Sequence, residues 1–105
     1  MTTYIFDKFG FYLRSNDNKR IDALSVYFRL GKLDISPKST YNSRILINDI
    51  ELTKELKAED LIKKLELENH PFARNNYVNK NGELNLLLNF ESPENNLVNI
   101  MVEAK

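Results

Sequence analysis

Apolar and polar residues alternate with a period of two along several segments of this chain. The alternation runs through residues 9–13, 24–30, 84–90 and 98–102, which are rich in Phe, Leu, Ile and Val. Successive side chains of a β-strand point to opposite faces of the sheet, so this spacing is typical of strands with one buried face. The chain is therefore expected to fold around an antiparallel sheet.

One segment has helical spacing instead. The apolar positions that share one helical face are Ala58, Leu61, Ile62 and Leu65. They predict a helix over about residues 57–66. Within it, i,i+4 ion pairs are expected from Glu59 to Lys63 and from Asp60 to Lys64.

Turn-forming residues separate the predicted elements, and they lie at 15–19, 31–43, 48–49, 67–76, 81–82 and 91–96. The fold class predicted from this order is α+β, an antiparallel sheet of about five to six strands with one main helix packed on one face. The element order would be ββ-β-α-βββ. No linker or repeat divides the sequence, so residues 1–105 are expected to form a single domain.

The charge balance limits the kinds of partner. The sequence has 15 basic and 15 acidic side chains and no net charge, so neither nucleic acid nor a membrane is expected as a partner. The aromatic residues of the predicted strands are expected in the core rather than on a base-stacking surface. The sequence has no cysteine, no export signal and no apolar run of the ~20 residues that a membrane helix needs, which predicts a cytoplasmic location.

The sequence contains no recognisable catalytic or metal-binding pattern. His70 is the single histidine, so a metal site or a Ser-His-Asp arrangement would need partners from distant segments. The three glycines are too far apart to form a phosphate-binding loop. No catalytic residue, cofactor or metal is expected, and the chain is not expected to be an enzyme. The alternative is a site scattered through the sequence, which a deep polar pocket would support.

Acidic residues gather on and around the predicted helix, and they are Glu51, Glu55, Glu59, Asp60, Glu66 and Glu68. Complementary charge speeds encounter with a basic protein. Glu55, Glu59, Asp60 and Glu66 are therefore candidate partner-binding residues, together with His70 if its loop lies on the same side. The alternative is ordinary solvation of a helix surface, since four lysines lie in the same region.

Four segments resemble a family of small bacterial proteins, and they are residues 4–12, 24–28, 36–38 and 45–52. They carry an FD-x-x-G opening, a PK loop and an ING-type turn in this order, although Asp49 stands where that family usually has glycine. Such proteins are similar in size and style to immunity proteins of bacterial toxin systems, including contact-dependent growth inhibition. The resemblance implies a protein that caps the active surface of a toxin and needs no reactive group of its own.

These observations lead to two hypotheses. The first is a non-catalytic immunity protein that binds a cognate toxin domain, such as a basic nuclease, through the acidic helix and neighbouring loops. The alternative is a structural or assembly module, with a homodimer as one arrangement, that associates through an exposed sheet edge such as the strand at Val98–Val102.

Overall fold

A computed structural model describes residues 1–31, 36–47, 49–80, 82, 84–91 and 96–104. The strands and the helix within these residues are β1 (Thr2–Phe6), β2 (Phe11–Ser15), β3 (Ala23–Tyr27), β4 (Leu46–Ile47), β5 (Ile50–Glu51), α1 (Ala58–Ile62), β6 (Leu67–Asn69), β7 (Asn76–Asn79), β8 (Leu84–Glu91) and β9 (Asn96–Ala104).

The main sheet of the described residues has seven strands in the order β1-β2-β3-β9-β8-β7-β6, and every neighbouring pair is antiparallel. Strand β9 lies in the middle of this sheet, between β3 and β8, while β1 and β6 form its two edges. Strands β4 and β5 pair only with each other, as a small separate hairpin.

The register gives the main sheet two different faces. Val26 pairs with Ile100, and Ile100 pairs with Leu88, so these three side chains share one face, here called the helix face. The residues between them in each strand point to the opposite face, here called the far face, which carries Ser25 and Asn99. Across β2, β3, β9 and β8 the helix face is mainly apolar, whereas the far face mixes polar and apolar side chains.

The core lies between the helix face and the segment that contains α1. Leu61 and Leu65 join the same buried cluster as Leu88, Phe90 and Leu97 from β8 and β9. The entry to α1 is tied to β9, because the N–H of Leu97 donates a 2.8 Å hydrogen bond to the carbonyl oxygen of Leu56. Helix α1 therefore packs on the helix face near the end of β8 and the start of β9.

The predicted α+β class with a main helix is wrong, because the fold is mostly β. Helix α1 has only five residues, since residues 63–66 form a turn and Glu66 takes a left-handed backbone with φ 52°. A helix this short is not stable alone and is held by packing. The apolar spacing that predicted about ten helical residues reflects one short helix followed by one further turn, in which the N–H of Leu65 donates to the carbonyl oxygen of Leu61.

Two other predictions are also wrong. The segment after the helix is not a continuous loop, because Leu67–Asn69 pairs with Asn76–Asn79 as edge strand β6. The strand at Val98–Val102 is not a sheet edge, because β9 has a neighbour on both sides. The turns predicted at 31–43, 48–49, 81–82 and 91–96 lie partly outside the described residues, at 32–35, 48, 81 and 92–95.

Candidate functional site

An apolar groove lies on the helix face beside the part that α1 covers. Its floor is made by strands β2, β3, β9 and β8, and the β4–β5 hairpin forms one wall. The cavity volume is about 680 Å³, which lies within the usual range for binding pockets. Residues from these five elements that line it include Phe11, Leu24, Val26, Ile47, Leu86 and Val102.

An aromatic cluster adjoins the groove, and two of its rings, Phe11 and Tyr41, line the cavity. Phe6 stacks on Phe11 with ring centroids 4.7 Å apart, and Tyr41 meets Phe11 edge-on at 6.3 Å. Phe9 lies 6.4 Å from Phe11 and is 61% exposed. Offset and edge-on aromatic pairs add roughly 0.5–1.5 kcal/mol each beyond the burial of their area. The groove is therefore bordered by packed aromatic rings, next to which Phe9 is exposed.

Exposed apolar side chains also mark the rim of the groove. Leu46 on the hairpin is 53% exposed, and Leu84 at the start of β8 is 48% exposed. Both side chains line the cavity, although they belong to elements that are far apart in the sequence. Contiguous exposed apolar surface of this kind is typical of a binding surface rather than of ordinary solvated surface.

Three of the predicted acidic residues lie on the segment that packs on the helix face. Glu55, Glu59 and Asp60 are all exposed. The predicted ion pairs of Glu59 and Asp60 with lysines are not formed among the described residues, because the helix ends at Ile62. Instead, the backbone N–H of Lys57 donates a 3.0 Å hydrogen bond to the Asp60 carboxylate, which stabilises the start of the helix.

A smaller polar cavity of about 280 Å³ adjoins Glu55. Its wall contains the ion pair between Arg44 and Glu51, with 2.9 Å between Nε and Oε1. Arg29 donates a 3.0 Å hydrogen bond to the carbonyl oxygen of Lys54 next to it. Glu51 is therefore engaged by Arg44, whereas Glu55 has no ion pair among the described residues.

The other two predicted residues do not join this group. Glu66 is exposed in the left-handed turn before β6. His70 follows β6 and lines a shallow cavity with Val78, Leu87 and Met101, which belong to the far face. His70 therefore does not lie on the same side as the acidic residues of the helix segment, since its cavity opens on the opposite side of the sheet from α1.

Sequence reasoning missed a chain of polar side chains that crosses four strands on the far face. Asn89 donates to Asn99 at 3.2 Å, and Asn99 donates to the buried Ser25 at 3.1 Å. Ser25 is in turn hydrogen-bonded to Tyr12, and burial raises the pKa of the Tyr12 phenol, with a further contribution from Tyr27. The period-two pattern contained the signal, because these polar residues fall at every second position between apolar ones.

In the part of the chain that the structure describes, no group of three or more His, Cys, Asp or Glu side chains could hold a metal ion. Among the same residues, no helix is long and apolar enough to cross a membrane. The geometry of the groove is suited to burying apolar side chains of a partner.

The chain belongs to the family described as domain of unknown function DUF7738, because residues 1–62 match that family over more than half of the sequence. No curated protein and no solved structure matches the chain. The matched segment contains β1 to β5 and α1, so it supplies the hairpin wall and half of the groove floor. Strands β8 and β9 complete the floor from outside the match.

Proposed function

We propose that this chain is a non-catalytic binding protein of the immunity type, which inhibits a cognate toxin domain by covering its active surface. The observation that carries the proposal is the apolar groove of about 680 Å³ on the same side of the sheet as the exposed Glu55, Glu59 and Asp60. Burial of apolar side chains in such a groove contributes favourable free energy to binding.

The charge around the groove defines the partner more closely. An apolar groove flanked by exposed carboxylates complements a surface on which an apolar side chain projects from basic surroundings. A basic toxin domain such as a nuclease has this character. An inhibitor of this kind needs a firm scaffold, which the seven-stranded sheet supplies, and no reactive group.

The test is co-expression of the chain with a candidate toxin domain from an adjacent gene, scored by cell growth and by the affinity of the purified pair. We expect Leu46→Ser/Leu84→Ser and Glu55→Lys/Glu59→Lys each to raise the dissociation constant at least about tenfold, or ~1.4 kcal/mol. Asp60 is left intact because its carboxylate stabilises the helix start.

His70→Ala is the matched control, because His70 lines a cavity of the far face. It should protect cells as well as the unchanged protein does. If both double variants still protect cells fully, neither the groove nor the acidic residues belong to the interface. Failure of the unchanged protein to bind or protect would reject the immunity function itself.

A further inference from the structure

Among the described residues, strand β1 is a sheet edge, and it lacks the charged residues and proline that normally keep an edge from pairing. Its sequence from Thr2 to Phe6 contains no charged residue and no proline, and Tyr4 and Ile5 are 47% and 41% exposed. Natural edges are usually protected by charged side chains, proline, bulges or a covering element. An edge strand of uncharged, β-branched and aromatic residues, with a strand neighbour on one side only among the described residues, is suited to pairing with another strand.

From this edge we propose that two copies of the chain associate through β1, in antiparallel pairing about a two-fold axis at Tyr4. This dimer is a proposal separate from the immunity function, and it does not depend on whether the chain binds a toxin. Full overlap of the five residues places Tyr4 opposite Tyr4 of the second copy. Thr2 then lies opposite Phe6, and Thr3 lies opposite Ile5.

The chemistry of this pairing is self-complementary. No charged side chain lies within the paired segment, so no like charges meet, and the whole chain has no net charge to oppose association. A strand from a highly charged partner would bury charges without counterions at this edge. A second copy of β1 can therefore pair with this edge strand without removing a charged side chain from water.

The opposite edge of the sheet explains why the association closes at two copies. Strand β6 has three residues, includes Glu68, and runs into His70 and Pro71. Proline offers no N–H for pairing, and a short charged strand is a poor template. Pairing of β1 with β6 of another copy, which would produce an open filament, is therefore disfavoured relative to a closed pair.

The pairing also has a consequence for the groove. Tyr4 and Phe6 are opposite Leu13 and Phe11 in the register of β1 and β2, so they lie on the helix face. Residues directly opposite one another in antiparallel strands share a face. The two copies therefore present both grooves on the same side of one continuous sheet, with the aromatic clusters between them.

The experiment measures mass by sedimentation equilibrium over a concentration series. An interface of one short strand pair is small, so we expect a 12.3 kDa monomer when dilute, whose mean mass rises towards twice that value as the concentration is raised. Tyr4→Lys and Tyr4→Glu should each weaken association at least about tenfold, because like charges would face each other at the axis. An equimolar mixture of the two variants should restore a dimer.

Phe72→Lys is the control, because Phe72 is 93% exposed in the loop after β6 and lies away from β1. It should associate as the unchanged protein does, and circular dichroism should show that all variants remain folded. A strict monomer at the highest concentration overturns the proposal, as does a Tyr4→Lys protein that still dimerises. A mixture that stays monomeric rejects the register at Tyr4, and growth beyond two copies rejects the closed pair.

Discussion

Gly10 occupies a backbone position that other residues cannot adopt without strain. It ends the turn between β1 and β2 with φ +75°, and its carbonyl oxygen accepts a hydrogen bond from the N–H of Tyr27. A Cβ atom at this position would meet the backbone of Thr40 and Tyr41, with the Thr40 carbonyl oxygen 2.8 Å away. Backbone atoms of a neighbouring segment cannot rotate aside, so the contact would displace the segment that leads to the hairpin.

We therefore expect Gly10→Ala to lower the free energy of unfolding by about 2 kcal/mol or more, from the left-handed backbone and the steric contact together. Gly82→Ala is the comparison, because Gly82 also has positive φ but its Cβ would first meet a side-chain atom of Asn79, at 3.1 Å, rather than backbone. Urea unfolding of both variants measures the difference. Equal losses would show that the contact with Thr40 has no effect.

Asp17 organises the turn between β2 and β3 through its side chain. The N–H groups of Lys19 and Arg20 donate to its Oδ1 at 2.8 and 3.0 Å, and these hydrogen bonds lower the pKa of the Asp17 carboxyl. A group whose pKa is lower when folded contributes stability above its unfolded pKa. That contribution is lost as the pH falls through the folded pKa.

Asp17→Ala should accordingly be less stable than the unchanged protein at neutral pH, with a difference that shrinks as the solution is acidified below the ordinary range of an aspartate. Asp17→Asn keeps an acceptor oxygen but does not titrate, so its stability should lack this pH dependence. Urea unfolding at a series of pH values makes the comparison. A difference that stays constant down to strongly acidic pH would contradict the assignment.

At the scale of single elements, the short helix depends on its buried side. Leu61 is fully buried in the core cluster, while its neighbour in α1, Glu59, is exposed. Leu61→Ala should lower the free energy of unfolding by roughly 3–5 kcal/mol, because a cavity would remain beneath the helix. Glu59→Ala should change it by less than about 0.5 kcal/mol. Thermal or urea unfolding checks both, and a loss below about 1 kcal/mol for Leu61→Ala would show that the segment is not packed as described.

Elements with strict alternation could be predicted from the sequence, and the helix length could not. Residues 84–90 and 98–102 lie in β8 and β9 because their period of two matches a strand whose faces differ. Ala58, Leu61 and Leu65 fit a helical period, but the same spacing is met by a single short helix and one turn. Strand β6 was unpredictable because three residues that include Glu68 and Asn69 show no alternation of apolar side chains.

The candidate site, too, could be predicted from the sequence only in part. The exposure of Glu55 and Glu59 could be predicted because charge near a helix is visible in the sequence, and their role in binding stays a prediction. The groove could not be predicted from the sequence, because it depends on the order of the strands in the sheet. That order brings Leu84 near the hairpin residue Leu46. Alternation indicates that a residue has a buried side, but it does not indicate which element covers that side.

On the scale of the whole sheet, the far-face polar chain connects β2, β3, β9 and β8. Asn99 bonds both Asn89 and the buried Ser25. Asn99→Ala should cost about 1–3 kcal/mol, since it leaves a buried hydroxyl without this partner. Ser25→Ala/Asn99→Ala should cost less than the sum of the single changes. Urea unfolding of a double-mutant cycle measures the coupling, and strict additivity would mean that the two side chains do not act together.

The central place of β9 sets the order in which the chain can acquire its structure during synthesis. Strands β3 and β8 are separated in sequence by more than half of the chain, and both pair with β9, which the ribosome makes after either of them. Until residues 96–104 emerge, the β1–β3 and β6–β8 groups remain two separate pieces with unsatisfied inner edges. Premature termination before β9 should therefore yield an aggregation-prone product rather than a smaller folded protein.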